Sequence, residues 1–161
     1  MKTHEVLRPR ATGVCALITA CFLLCITSAR GQRAAGDVGL GVHIGQPTGL
    51  TVKVYNPGTS LDILAAWDLD NFFFLNLHAI YDVHLNEDQT VHFYYGPGGF
   101  IGIRDRREGL DDDVELGVSG NFGLDVMIRK FELFVQATPR LALVPGTAFD
   151  MGGGLGFRVY F

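Results

Sequence analysis

The chain has 161 residues, 48% of them hydrophobic, with 13 Lys and Arg against 17 Asp and Glu. That acidic balance argues against nucleic acid as a partner, because phosphate backbones are gripped by a surplus of Lys and Arg. The length is one domain's worth, and all three cysteines lie at or before Cys25, which excludes disulfides and thiolate metal sites from everything after it.

Residues 1–29 read as a cleaved secretory signal peptide rather than as part of the fold. Lys2, Arg8 and Arg10 precede an uncharged run from Val14 to Ile26, and Thr27-Ser28-Ala29 supplies small residues for the cut. The run is too short for a transmembrane helix, which needs about 20 apolar residues. Ile18-Thr19-Ala20-Cys21 loosely matches a lipoprotein site, but Phe22, Leu23 and Leu24 would then stand where a polar tether belongs. Residues 30–161 are therefore expected to form a single exported domain. The leader takes three bases and one acid with it, leaving a net charge of about −6.

No segment beyond Gly31 sustains a helical repeat, whereas apolar residues recur at every second position. The alternation predicts eight strands, over 37–45, 50–56, 60–69, 72–85, 90–104, 114–128, 131–144 and 149–161. Turn chemistry fills the breaks: Gln46-Pro47-Thr48-Gly49, Pro57-Gly58-Thr59, Asp70-Asn71, Asn86-Glu87-Asp88, a charged stretch over 105–113, Arg129-Lys130, and Gly146-Thr147-Ala148. The fold class expected is all-β, an eight-stranded antiparallel up-and-down transmembrane barrel. Its strand-plus-turn repeat suits spanning strands of about 9–11 residues.

The two faces of each strand differ in kind. Val114, Leu116, Val118, Phe122, Leu124, Val126 and Ile128 share one side of the sixth strand, with Glu115, Ser119, Asn121 and Asp125 on the other. The seventh and eighth strands repeat the pattern. Alternation alone fits both a lipocalin-like barrel with its apolar face inside and a membrane barrel with that face toward lipid. Three features favour the second. Glycines crowd the polar face, where a narrow lumen needs small residues. Trp67, Phe73, Tyr81, Phe93 and Tyr95 join the apolar face, several near strand ends where interfacial girdles form. The last strand keeps its apolar positions up to Phe161. If the Pro47 turn pairs Gly41 with Lys53, Tyr55 lies beside Gly39 and covers its bare backbone.

A terminal Phe161 preceded by Val159, Phe157 and Leu155 resembles the signal that bacterial outer-membrane barrels present to their assembly machinery. Val159 stands where that signal most often has an aromatic residue. The last 45 or so residues, with Asn121-Phe122-Gly123-Leu124, Phe131-Glu132-Leu133-Phe134, Pro139, Pro145 and the run ending Gly156-Phe157-Arg158-Val159-Tyr160-Phe161, are similar to an uncharacterised family of small secreted bacterial barrels. The resemblance implies an outer-membrane location, contact with its lipid, and no assigned reaction.

The inward polar residues are the candidate site. Lys53, Arg104, Arg129, Arg140 and Arg158 interleave with Asp62, Asp68, Asp82, Glu115, Asp125, Glu132 and Asp150, and buried charges must pair to persist. The expectation is a lumen filled by ion pairs, too crowded for a wide pore, in a non-enzymatic barrel with a structural or surface role. No cofactor or metal is called for. His78 and His84 lie about 20 Å apart along a strand, too far for one metal, and a pairing of His84 with His92 is a weaker option. Ser119, His78 and Asp125 offer the residue types of a nucleophile, base and orienter, without a local motif. A lipid-modifying enzyme or small-ligand carrier is the alternative, and a soluble periplasmic barrel the third reading.

Overall fold

A computed structural model describes residues 33–68, 72–104 and 113–161. Residues 1–32 with the leader, Leu69 with the expected Asp70-Asn71 turn, and residues 105–112 lie outside the described residues. Eight strands follow in chain order: β1 Val38–Gln46, β2 Gly49–Val54, β3 Ser60–Asp68, β4 Phe72–His84, β5 Val91–Arg104, β6 Asp113–Ile128, β7 Phe131–Val144 and β8 Ala148–Tyr160. Each pairs antiparallel with the next, and β1 pairs with β8, so the sheet closes into a barrel. The strands match the alternation to within one or two residues at each end.

Closure removes every sheet edge along the paired length and gives each strand one inner and one outer face. The outer face carries the apolar alternation, with Leu40, Trp67, Phe122, Val135 and Leu155 all exposed. Lys53, Asp62, Asp125, Glu132 and Arg158 are buried inside. The lumen is not purely polar. Phe74 stacks on Phe100 at 5.7 Å between ring centroids, and Ile80, Tyr94 and Phe134 are buried together.

The β1–β2 register differs from the expected one. Gly39 pairs with Lys53 and Gly41 with Thr51. The cause lies in the turn, where the Thr48 hydroxyl accepts from the Gly45 amide at 3.1 Å and donates to the Gly45 carbonyl at 3.0 Å, centring the hairpin one residue earlier. Tyr160, not Tyr55, covers Gly39: a side chain there would begin 2.7 Å from the Tyr160 ring. At Gly41 a Cβ would lie 1.8 Å from the Phe157 carbonyl oxygen, and at Gly96 1.8 Å from that of Ala79. Those backbones approach too closely for any side chain.

Strand lengths are unequal. β2 has six residues and β6 sixteen. The last pair between β1 and β8 is Gln46 with Gly153, so residues 148–152 of β8 bond to β7 alone and stand above the β1–β2 hairpin.

Candidate functional site: the charged lumen

Arg158 reaches inward from β8 and gathers three other strands. It donates from Nη1 to Glu132 Oε1 of β7 at 2.5 Å, and from Nη2 to Asp62 Oδ1 of β3 at 2.7 Å and Thr51 Oγ1 of β2 at 2.8 Å. Its guanidinium carbon sits 4.0 Å from the centroid of the Phe134 ring. A planar five-donor fork suits this many partners, which a lysine ammonium could not match in geometry. Tyr160 donates to the second Glu132 oxygen at 2.5 Å.

A second group lies at the end of the barrel that carries the 55–59 and 85–90 turns. Lys53 donates to Asp82 Oδ1 at 2.9 Å, and Ser60 donates to the other Asp82 oxygen at 3.1 Å. Asp125 takes His92 Nδ1 at 2.6 Å and Arg33 Nη2 at 2.6 Å, with Lys53 at 3.6 Å. Arg33 also lies 3.3 Å from Glu132 and 3.8 Å from Asp82, and its guanidinium sits against the rings of Tyr55 and Tyr160 at 5.3 and 5.2 Å. Uncharged groups extend the first cluster toward the second: Asn121 donates to Asp62 and to Gln136, each at 3.3 Å, Tyr94 donates to Gln136 at 3.1 Å, and Lys53 Nζ lies 5.0 Å from the centre of the Tyr94 ring.

These contacts hold Lys53, Asp62, Asp82, Asp125, Glu132 and Arg158 in one connected network. Arg140 and Asp150 pair with each other nearer the opposite rim, where Asp150 is exposed and Arg140 lies against Phe74. Arg104 and Glu115 are exposed at the tops of β5 and β6. Arg129 occupies the tight β6–β7 turn at φ 59 and is exposed, so it sits outside the lumen rather than in it. The turn takes it out of the strand's alternation. Asp68 ends β3, with its side chain outside the described residues. Leu155, Phe157 and Phe161 are exposed, and Val159 is half-buried on the same outer face.

The sequence reading missed Arg33. It precedes the first strand and belongs to no alternation, yet its side chain is 4% exposed. The available signal was arithmetic: the inward acids outnumber the inward bases, and a further cation had to come from outside the strands.

The Ser119 hydroxyl donates to Asn76 Oδ1 at 2.9 Å and lies 3.0 Å from His78 Nε2. Asp125 is engaged by His92 and Arg33, so the three residues weighed as a catalytic set are divided between two groups. His84 and His92 meet edge to face at 4.9 Å. Among the described residues, no cluster of three or more His, Cys, Asp or Glu is placed to hold a metal ion. Chemically the arrangement stitches seven strands together and spans the bore with side chains.

No family model matches the chain, and no curated protein matches it in sequence. Among solved structures, the barrel is similar to Neisserial surface protein A (NspA), at 12% identity and a TM-score of 0.52, over 78% of this chain and 94% of that one. The likeness establishes the small eight-stranded barrel fold.

Proposed function

We propose that this chain is a small bacterial outer-membrane barrel, exported by the leader in residues 1–29, with a structural, envelope-stabilising or surface-interaction role. The observation that carries the reading is the contrast between the two faces. Leu155 and its cross-strand partner Val135 are 59% and 53% exposed, while Arg158, three residues along β8, is 1% exposed. Soluble monomers rarely expose contiguous apolar patches beyond a few hundred Å². Here the apolar face runs around the whole wall, which suits lipid as its solvent. The similarity to a Neisserial surface protein supports the same location. The outward set Leu155, Phe157, Val159 and Phe161 would be read by the assembly machinery. The bridged lumen favours a packed barrel over a wide pore.

Fractionation tests this. The chain should sediment with outer membranes and leave them with detergent but not with salt or carbonate; recovery in the soluble periplasm would favour a lipocalin-like barrel instead.

The 3.0 Å approach of Ser119 to His78 favours a second reading, a lipid-modifying enzyme or small-ligand carrier that uses lumen groups. Ser119→Ala separates the two. An unchanged membrane lipid profile supports the non-enzymatic role, and a changed profile with intact folding supports the enzyme.

A further inference from the structure

Resting on the outer-membrane reading, we infer that a notch in the outer wall beside Trp67 holds one acyl chain of a membrane lipid. The notch follows from unequal strand lengths. β2 begins at Gly49, opposite His43 of β1, and its Leu50 lies opposite Ala65 of β3. β1 continues to Gln46 and β3 to Asp68. Over that last stretch only the Pro47-Thr48 turn, and no paired strand, stands between Ile44 and Trp67.

The gap is an open depression of about 420 Å³ in the outer wall. Val42, Ile44, Leu50 and Trp67 border it, with Gly49, whose backbone packs closely on Ala65 and Ala66 of β3. Ile44 and Trp67 are 60% and 58% exposed. The polar groups at the border turn elsewhere. Thr48 is tied to Gly45 through both its donor and its acceptor. His43 Nδ1 lies 2.8 Å from the Pro47 carbonyl, its ring stacks on Phe134 inside the lumen, and its Nε2 is on the Gly154 side.

An apolar lining whose polar neighbours turn toward the lumen or the turn selects an apolar occupant. Val42 and Leu50 continue the lipid-facing wall without a break, so the occupant enters from the bilayer. A second copy of the barrel presents a convex wall, which cannot enter a narrow recess. A single hydrocarbon chain can.

Trp67 is the one tryptophan in the sequence, so its fluorescence reports occupancy directly. The barrel is refolded into phosphatidylcholine vesicles containing a rising share of lipid brominated on its chains. The control carries Trp67→Phe with Val118→Trp, which moves the fluorophore to the exposed face of β6 on the far wall. Trp67 should lose intensity steeply at low brominated share and then level off, while the control falls gradually. Ile44→Phe and Leu50→Phe, made separately to fill the notch, should each return Trp67 to the gradual curve.

Equal curves for Trp67 and the control overturn the notch site and leave the membrane reading intact. Quenching of neither, with protein and vesicles separating on flotation, overturns the membrane reading and the site together. Quenching of the control alone, with a cross-linked dimer, would give the notch to a second copy and also overturn the proposal.

Discussion

Arg158 and Asp62, 96 positions apart in the chain, meet at 2.7 Å inside the barrel. The pair joins β8 to β3, strands that are not neighbours in the sheet. Replacing Arg158 with Met takes the cation from Asp62 and leaves Glu132 with Arg33 and Tyr160 only, and breaking a buried pair in this way costs about 3–5 kcal/mol. Urea unfolding in lipid vesicles should show that loss. Adding Asp62→Asn and Glu132→Gln should recover part of it, because the desolvation cost then disappears with the charges. An unchanged midpoint for the single variant would mean that the network does not hold the barrel.

Arg33 is the cation that the alternation could not reveal, and its removal should be milder. With Arg33→Gln, Asp125 retains His92 and a distant Lys53, and Glu132 retains Arg158 and Tyr160. The expected loss is about 1.5–3 kcal/mol, the range for hydrogen bonds to charged groups. Amide exchange should quicken at Gly36 and Asp37, whose backbone bonds to Tyr55 and Ala34 hold the entering segment. Uniform exchange with the parent would show that the segment is held by those backbone bonds alone.

Much of the architecture was legible because a barrel with two chemically different faces writes a period of two into the chain. Phe122 and Asp125 could be assigned to opposite faces without coordinates. The partners within the lumen were not legible, for a geometric reason. Arg158 meets Asp62 across the bore, and such contacts depend on the accumulated stagger of the wall, which no single hairpin reveals. The same blindness grouped Asp125 with His78, although the wall places it with His92. The β1–β2 register failed on a local detail, the grip of Thr48 on Gly45.

Glycine substitutions should divide sharply by site. Gly96→Val would drive a side chain into the Ala79 carbonyl, and overpacking of this kind costs at least about 1–3 kcal/mol. Gly146→Ala in the β7–β8 turn meets nothing within 4 Å and should be neutral. Heat-modifiable migration on gels, which separates folded from unfolded barrels, reads both. Normal folding of Gly96→Val would contradict the backbone approach between β4 and β5.

A charge on the outer wall should carry a depth-dependent penalty. Val135→Arg, within the outer face of β7, should cost about 2–4 kcal/mol in a bilayer, and Phe149→Arg at the rim about 0–1 kcal/mol. In a barrel that faces water both would be harmless. Comparing the two unfolding curves in vesicles therefore tests the orientation of the faces independently of fractionation.

The lumen network draws on Thr51 and Lys53 of β2, Asp62 of β3, Asp82 of β4, His92 of β5, Asp125 of β6, Glu132 of β7 and Arg158 of β8. The β7–β8 hairpin pairs Glu132 with Arg158 within itself, but Asp62 of β3 takes Arg158 from across the bore and Asp125 of β6 takes Arg33 from ahead of β1. A sheet of four or five strands would carry unpaired ions on one face and unbonded edges on both sides. Half-built forms are penalised twice, and both penalties vanish together when β1 meets β8. Assembly is thus driven toward an all-or-none event, in which the wall closes and the centre fills in the same step.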